Sequence, residues 1–127
     1  MKKRFGILAF LILISSAHAY FLRTGTYQLS GGNSQYGAGS YQGEVVIAPY
    51  GDNYKVTWFI GNQQCQVGIG ILQDDVLSVS FNDITKNFWG IASYRVKFGG
   101  ELEGKWASFD DKIQKPEYLV WKSYSTY

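Results

Sequence analysis

The sequence predicts an all-β fold: an eight-stranded antiparallel up-and-down meander that is closed as a small β-barrel. Apolar and polar residues alternate with a period of two in short runs, which is typical of strands with one buried face, and Gly, Asn and Asp separate these runs. No segment of useful length has the helical period. Because nearly every connection is short, we prefer the barrel to a two-sheet β-sandwich, which the same alternation allows.

The first four predicted strands are separated by polar or glycine-rich connections. Their predicted bounds are Gly25 to Ser30, about Tyr41 to Pro49, Tyr54 to Ile60, and about Gln64 to Leu72. One face of the third strand carries Tyr54, Val56, Trp58 and Ile60. One face of the fourth carries Cys65, Val67, Ile69 and Ile71, and the other carries Gln64, Gln66, Gly68 and Gly70. Residues 31–40 form a Gly/Ser/Asn loop, and Gly61-Asn62 suits a tight hairpin because glycine tolerates positive φ.

The last four strands repeat the pattern. Their predicted bounds are Val76 to Phe81, about Phe88 to Phe98, Glu101 to Ala107, and Glu117 to Lys122. Three apolar faces follow from the alternation: Leu77, Val79 and Phe81; Tyr94, Val96 and Phe98; and Leu102, Gly104 and Trp106. A polar loop is predicted at Asn82 to Asn87, a primed-type turn at Gly99-Gly100, and a mostly polar loop after Phe109.

The first 19 residues have the pattern of a secretory signal peptide. Lys2-Lys3-Arg4 forms a basic start, Phe5 to Ile14 a short apolar run, and Ala17-His18-Ala19 a small-residue cleavage site. The apolar run is too short for a membrane span, which needs about 20 apolar residues. We therefore expect a signal peptide at 1–19 and one β-barrel domain at 20–127. The domain would be exported, to the periplasm, the medium or the cell surface.

Removal of the signal peptide changes the chemistry available to the 108-residue domain. It takes away the only His and the only Met, and leaves nine basic against ten acidic residues, a side-chain charge of −1 instead of +2. Without imidazole, Ser-His-Asp, Cys-His and His-based zinc sites are excluded. A single thiol makes no internal disulfide. With no basic cluster, nucleic acid is a poor partner. We expect no enzymatic activity, cofactor or metal.

The order of short motifs suggests a family. They are Gly43-x-Val45-x-Ile47, Gly51-Asp52-x-Tyr54-x-Val56-x-Trp58, Gly68-x-Gly70, Leu77-x-Val79-x-Phe81, Tyr94-x-Val96, Gly100-x-Leu102-x-Gly104-x-Trp106 and Glu117-x-Leu119. In this order the chain resembles small exported bacterial proteins often labelled fibronectin-binding protein. It departs from them in having no Pro in residues 32–39. The resemblance implies a host extracellular-matrix protein such as fibronectin as the partner.

Aromatic residues in or near loops and strand ends are the predicted contacts with a ligand or partner. They are Tyr36, Tyr41, Tyr50, Trp89 and Tyr124. Such residues offer contact area at low entropic cost on a rigid scaffold. The alternative is that they cap the ends of the barrel. Trp58, Trp106 and Trp121 have predicted inward positions, where they fill the core or line a ligand cavity.

Three further groups have structural interpretations that we favour over functional ones. Cys65 is interpreted as a small buried apolar residue, and Gly68 and Gly70 as positions of close packing. A solvated edge explains the densest carboxylates better than an acid-base pair does. These are Glu101, Glu103, Asp110, Asp111 and Glu117.

The leading functional hypothesis is an exported, non-enzymatic binding module with an adhesin-like role toward fibronectin or another host extracellular protein. Two alternatives remain. One is a small-ligand carrier of the lipocalin or avidin kind, since eight-stranded barrels hold single small ligands. The other is a periplasmic inhibitor of a hydrolase, with Asn82 to Asn87 as its candidate loop. A hollow barrel interior would favour the carrier and a filled one would exclude it.

Overall fold

The computed structural model describes residues 21–31, 41–61, 63–83 and 85–124, with the side chains of 63–65 excepted. The predicted signal peptide at 1–19 and residues 32–40 of the predicted loop, which include Tyr36, lie outside the described residues, whereas Gly31 belongs to the first strand. The signal peptide therefore stays a prediction. No helix of the described residues is long and apolar enough to cross a membrane.

Eight strands form one closed antiparallel barrel, which confirms the predicted fold class. They are β1 (Gly25–Gly31), β2 (Tyr41–Tyr50), β3 (Asn53–Ile60), β4 (Gln63–Gln73), β5 (Val76–Asp83), β6 (Phe88–Val96), β7 (Glu101–Ser108) and β8 (Lys115–Ser123). Each strand pairs with the next along the chain, and β8 pairs with β1 to close the sheet. Closure removes free sheet edges, so a meander of short hairpins is stable without a second sheet.

The apolar side of the fourth strand was inferred to be buried, but it faces outward. Ile69 and Ile71 are exposed, whereas Gly70 is buried. Gly68 faces Phe81 and Val56 across the neighbouring strands, and a Cβ there would overlap the Ser80 carbonyl oxygen. The barrel interior has no room for a large side chain at this level, so glycines lie inside and β-branched residues outside. This confirms close packing at Gly68.

The sixth strand is shorter than predicted. It ends at Val96, and Phe98 lies exposed in the turn instead of continuing the inward face of Tyr94 and Val96. Both Gly99 and Gly100 adopt positive φ, as expected for the turn. The turn includes Lys97 and Phe98, because Lys97 N donates to Glu101 O at 2.8 Å and closes the loop there.

One end of the barrel is sealed by the segment that precedes β1. Trp121 Nε1 donates to the carbonyl of Thr24 at 3.1 Å, and the Tyr27 hydroxyl donates to the carbonyl of Arg23 at 2.5 Å. The Arg23 guanidinium lies 4.8 Å from the centre of the Trp121 ring, within cation–π range. The chain therefore covers this end with its own backbone and an arginine.

Gly104 on β7 leaves space that the ring of Tyr94 occupies. It pairs with Tyr94, and a Cβ on Gly104 would overlap the Tyr94 ring and the carbonyl oxygen of Ser93. We expect Gly104→Ala to lower the free energy of unfolding by about 1–3 kcal/mol, as overpacking of a full core does. Urea unfolding measures this. Ser93→Ala, an exposed change on the neighbouring strand, should stay within about 0.5 kcal/mol. Equal effects would contradict the packing role of Gly104.

Candidate functional site: a carboxylate in an aromatic cavity

Glu117 is buried inside the barrel, which corrects its assignment to a solvated edge. Its exposed fraction is 3%, and it alternates inward with Leu119 on β8. Residues two apart in a strand share a face, so the apolar Leu119 fixes the direction of Glu117. The expectation of exposure is confirmed for Glu101 and Glu103, which lie on the outer face of β7.

Three neutral donors from three strands meet the Glu117 carboxylate. Tyr94 on β6 and Trp58 on β3 both donate to Oε1, the latter from Nε1 at 3.1 Å. Tyr41 on β2 donates to Oε2 at 2.6 Å, and Trp106 on β7 donates from Nε1 to the Tyr41 hydroxyl at 2.7 Å. A buried carboxylate is tolerated only when it is hydrogen-bonded, and this network supplies those bonds. It ties β8 to β2, β3 and β6 across the interior.

Burial and the neighbouring carboxylate keep the two phenols protonated. Burial, and next the negative charge of Glu117, raise the pKa of Tyr94 well above 10.0. The same two causes, in the same order, raise the pKa of Tyr41. Both hydroxyls are therefore donors at physiological pH, and each points its proton at Glu117.

The raised pKa of Tyr94 predicts a loss of stability in alkali. Above pH 10.0 the unfolded chain releases the Tyr94 proton while the folded chain keeps it, so stability falls as pH rises. Below that pH the contribution is complete. One such tyrosine gives a slope of about 1.4 kcal/mol per pH unit. Urea unfolding from about pH 9 to about pH 11 should therefore show a loss of stability that Tyr94→Phe reduces by about 1.4 kcal/mol over the whole interval, because the full slope is reached only above pH 10.0. An unchanged slope would contradict the assignment.

A cavity of about 190 Å³ lies beside this network. Six aromatic side chains line it: Tyr41, Trp58, Phe81, Phe88, Tyr94 and Trp106. Ile60, Gln66, Ala92 and Glu117 complete the described lining. Tyr41 and Phe88 begin their strands and Ile60 ends its own, and all three are half-buried, so the cavity lies at the barrel end opposite the sealed one. The interior is therefore filled at one end and hollow at the other.

The aromatic side chains that line the cavity pack against one another. The ring of Phe81 lies 5.8 Å from those of Trp58 and Phe88 and 6.0 Å from that of Trp106. The contacts with both tryptophans are edge-to-face, a preferred arrangement of aromatic pairs. Trp58 and Trp106 thus line a cavity as well as filling core space, whereas Trp121 lies at the sealed end.

The predicted contact residues that the structure describes lie at both ends of the barrel. Tyr41 is half-buried, belongs to the internal network and lines the cavity. Tyr50 and Tyr124 are exposed, the latter packed edge-on against Trp121. Trp89 lies outside the barrel, 47% exposed, and stacks on Phe109 with ring centres 4.5 Å apart. The role of all these residues as contacts stays a prediction, including that of Tyr36.

The remaining sequence candidates give little chemistry. Cys65 is the extra residue of a bulge, since Trp58 and Phe59 pair with Gln66 and Gln64. Its side chain lies outside the described part, and the exposed Ile69 and Ile71 give no support for its burial. Within the described residues, no three His, Cys, Asp or Glu side chains converge in a way that could hold a metal ion. The polar loop predicted at Asn82 to Asn87 begins later, because β5 extends to Asp83.

Three solved structures similar to this chain are designed β-barrels. A redesigned β-barrel matches with a TM-score of 0.67 at 14% identity, over 79% of this chain and 91% of that one. The redesigned barrel mFAP1, bound to DFHBI, matches with a TM-score of 0.62 at 16% identity, over 77% and 94%. A de novo fluorescence-activating barrel gives 0.54 at 16%, over 83% and 97%. No family model and no curated protein matches the sequence. At these identities the likeness establishes the β-barrel fold alone.

Proposed function

We propose that this protein binds a small organic molecule in the aromatic cavity, as an exported carrier of the lipocalin or avidin kind. The observation that carries the proposal is the hollow end of the barrel. It is lined by six aromatic rings and a small set of polar groups, the usual composition of a ligand site. One similar barrel is described as bound to DFHBI, a further support for a ligand site in this architecture. Export rests on the predicted signal peptide.

The cavity size limits the ligand. Its volume of about 190 Å³ is below the range usual for drug-sized ligands, about 300–1,000 Å³. An apolar cavity of about 150 Å³ holds benzene. The ligand that fits is therefore one ring with a short substituent, or an equally small part of a longer molecule that reaches out of the barrel mouth.

Filling the cavity provides the test. Ala92 is buried and lines the cavity, so Ala92→Leu places three further carbons inside it. Calorimetric titration measures the binding of benzyl alcohol. We expect saturable one-to-one binding to the wild-type protein and an affinity at least about tenfold lower in this variant.

The matched control puts the same leucine outside. Ser93→Leu changes the next residue of β6, whose side chain is exposed, and should bind benzyl alcohol like the wild type. Circular dichroism confirms that each variant is folded. The proposal fails if no one-ring probe binds, whether neutral, cationic or anionic. It also fails if Ala92→Leu and Ser93→Leu bind equally well.

A second candidate is the adhesin-like role, favoured by the stacked pair Trp89 and Phe109. These rings are 47% and 77% exposed, and Ile91 is exposed on the same face of β6. Exposed aromatic pairs of this kind are common anchors in protein interfaces. The resemblance noted in the sequence makes fibronectin the partner to test. Binding to immobilised fibronectin should be saturable at micromolar concentration and lost in Trp89→Ala/Phe109→Ala, but kept in Tyr118→Ala, which removes an exposed aromatic ring of β8. Absence of a saturable signal rejects this role.

A further inference from the structure

We propose that the ligand of the cavity is a small organic ammonium ion, held by the Glu117 carboxylate and the surrounding aromatic rings. This inference rests on the proposed function, since it names the class of molecule that the same cavity takes. It is carried by the charge, the hydrogen-bonding capacity and the ring lining of the site.

The charge of the cavity is negative. Among the described residues that line it, Glu117 is the one with a charge, and its three donors are two phenols and an indole. These donors satisfy hydrogen bonds but bring no positive charge. A buried charge is costly unless a partner of opposite sign offsets it, so the site is complementary to a cation. An anionic ligand would meet repulsion from the carboxylate.

The carboxylate has capacity for one more donor. A carboxylate accepts at about four lone-pair positions, two on each oxygen. Described residues occupy both positions on Oε1, through Tyr94 and Trp58, and one on Oε2, through Tyr41. An ammonium N–H fits the remaining position on Oε2, and the bond would be charge-assisted and therefore strong.

The rings around Glu117 suit a cation better than a neutral polar group. Cations are attracted to the faces of Trp, Tyr and Phe, with Trp the strongest, and most strongly where water is excluded. Trp58 and Trp106 both line the cavity, and Phe81 lies between them, within 5.8 Å and 6.0 Å of their ring centres. An ammonium group bound to Glu117 therefore lies among aromatic rings.

Lys115 is not the cation that offsets the charge of Glu117 in the cavity. Its Nζ lies 4.6 Å from the centre of the Trp106 ring, so one wall of the cavity carries an ammonium–aromatic contact. The same Nζ pairs with Asp111 Oδ2 at 2.8 Å, which offsets its charge at the mouth. Lys115 is absent from the described lining of the cavity, and the charge of Glu117 stays available to a ligand.

Three probes that each contain one benzene ring but differ in charge separate a cationic ligand from a neutral or an anionic one. Benzylamine, benzyl alcohol and benzoate are cationic, neutral and anionic at neutral pH, and each is titrated calorimetrically into wild type, Glu117→Gln and Ala92→Leu. We expect benzylamine to bind the wild type at least about tenfold more tightly than benzyl alcohol, and benzoate to bind most weakly. In Glu117→Gln, which keeps the shape and removes the charge, benzylamine should lose that advantage over benzyl alcohol.

Each failure has its own pattern. If benzyl alcohol binds in the cavity but benzylamine is no tighter, the ammonium inference is wrong and the ligand-binding function stands. If benzylamine keeps its advantage in Glu117→Gln, the carboxylate is not its partner and the inference is also wrong. If no probe binds, the proposed function itself fails. Should Glu117→Gln not fold, the order of the three probes in wild type, together with its loss in Ala92→Leu, decides the question.

Discussion

Glu117→Ala is expected to lower the free energy of unfolding by about 2–4 kcal/mol, although it removes a buried carboxylate. The substitution leaves the Tyr94 hydroxyl, the Trp58 indole and the Tyr41 hydroxyl without their acceptor. Tyr94 and Trp58 are among the most buried side chains of the barrel, and unsatisfied buried donors cost more than the net value of the bonds they had made. Water that enters from the mouth satisfies Tyr41 more easily than Tyr94, which limits the loss.

Urea unfolding, followed by tryptophan fluorescence, gives this free energy, and Glu103→Ala is the matched control. Glu103 is exposed on the neighbouring strand and makes a surface pair with Lys97 at 3.5 Å, so its loss should cost less than about 1 kcal/mol. Glu117→Gln keeps one acceptor oxygen, so its loss of unfolding free energy should fall between those of Glu117→Ala and Glu103→Ala.

A double-mutant cycle with Tyr94→Phe isolates the central bond. The cost of losing both groups should be smaller than the sum of the single losses, because removing Tyr94 also removes one stranded donor. If Glu117→Ala instead stabilises the protein, the desolvation cost of the carboxylate exceeds what its three donors return. The network would then be maintained for binding alone, and its assignment to stability would be wrong.

The fold was predictable because strand alternation is a local property. Leu77, Val79 and Phe81 alternate with serines, and their inward face is confirmed. The alternation of β4 was visible too, but its polarity was misleading: the isoleucines face outward and the glycines inward. Sequence pattern gives the two faces of a strand, whereas the space inside a small barrel decides which face a large side chain takes.

The site was less predictable because it exists only after the barrel closes. Tyr41 and Trp58 lie 76 and 59 residues from Glu117 along the chain, and they meet it because β2, β3 and β8 face one interior. One local signal was available: Glu117 alternates with Leu119 and Trp121, so a polar residue occupied an apolar face. The tyrosine hydroxyls that donate hydrogen bonds to Glu117 carry no such signal, since tyrosine is compatible with both buried and exposed positions of a strand.

Leu119→Ala is expected to lower the free energy of unfolding by about 2–5 kcal/mol, the range for a fully buried leucine. Leu119 has no exposed surface, and it pairs with Leu29 on β1 and with Leu102 on β7. It therefore lies across the seam at which the last strand returns to the first. The loss includes a cavity that rigid neighbouring strands fill only in part, which is why the expected cost exceeds that of transferring the missing carbons to water.

Val120→Ala is the matched control for the seam, because Val120 is the next residue of β8 and is 50% exposed on the outer face. Its cost should stay near or below about 0.5 kcal/mol. Benzyl alcohol binding should persist in Leu119→Ala wherever the protein is folded, since Leu119 is not part of the described cavity lining. Equal losses of stability from the two variants would show that the β1–β8 seam contributes little, and that the barrel is stable through its hairpins alone. A large loss from Leu119→Ala with binding intact would instead separate the two ends of the barrel, one for stability and one for the ligand.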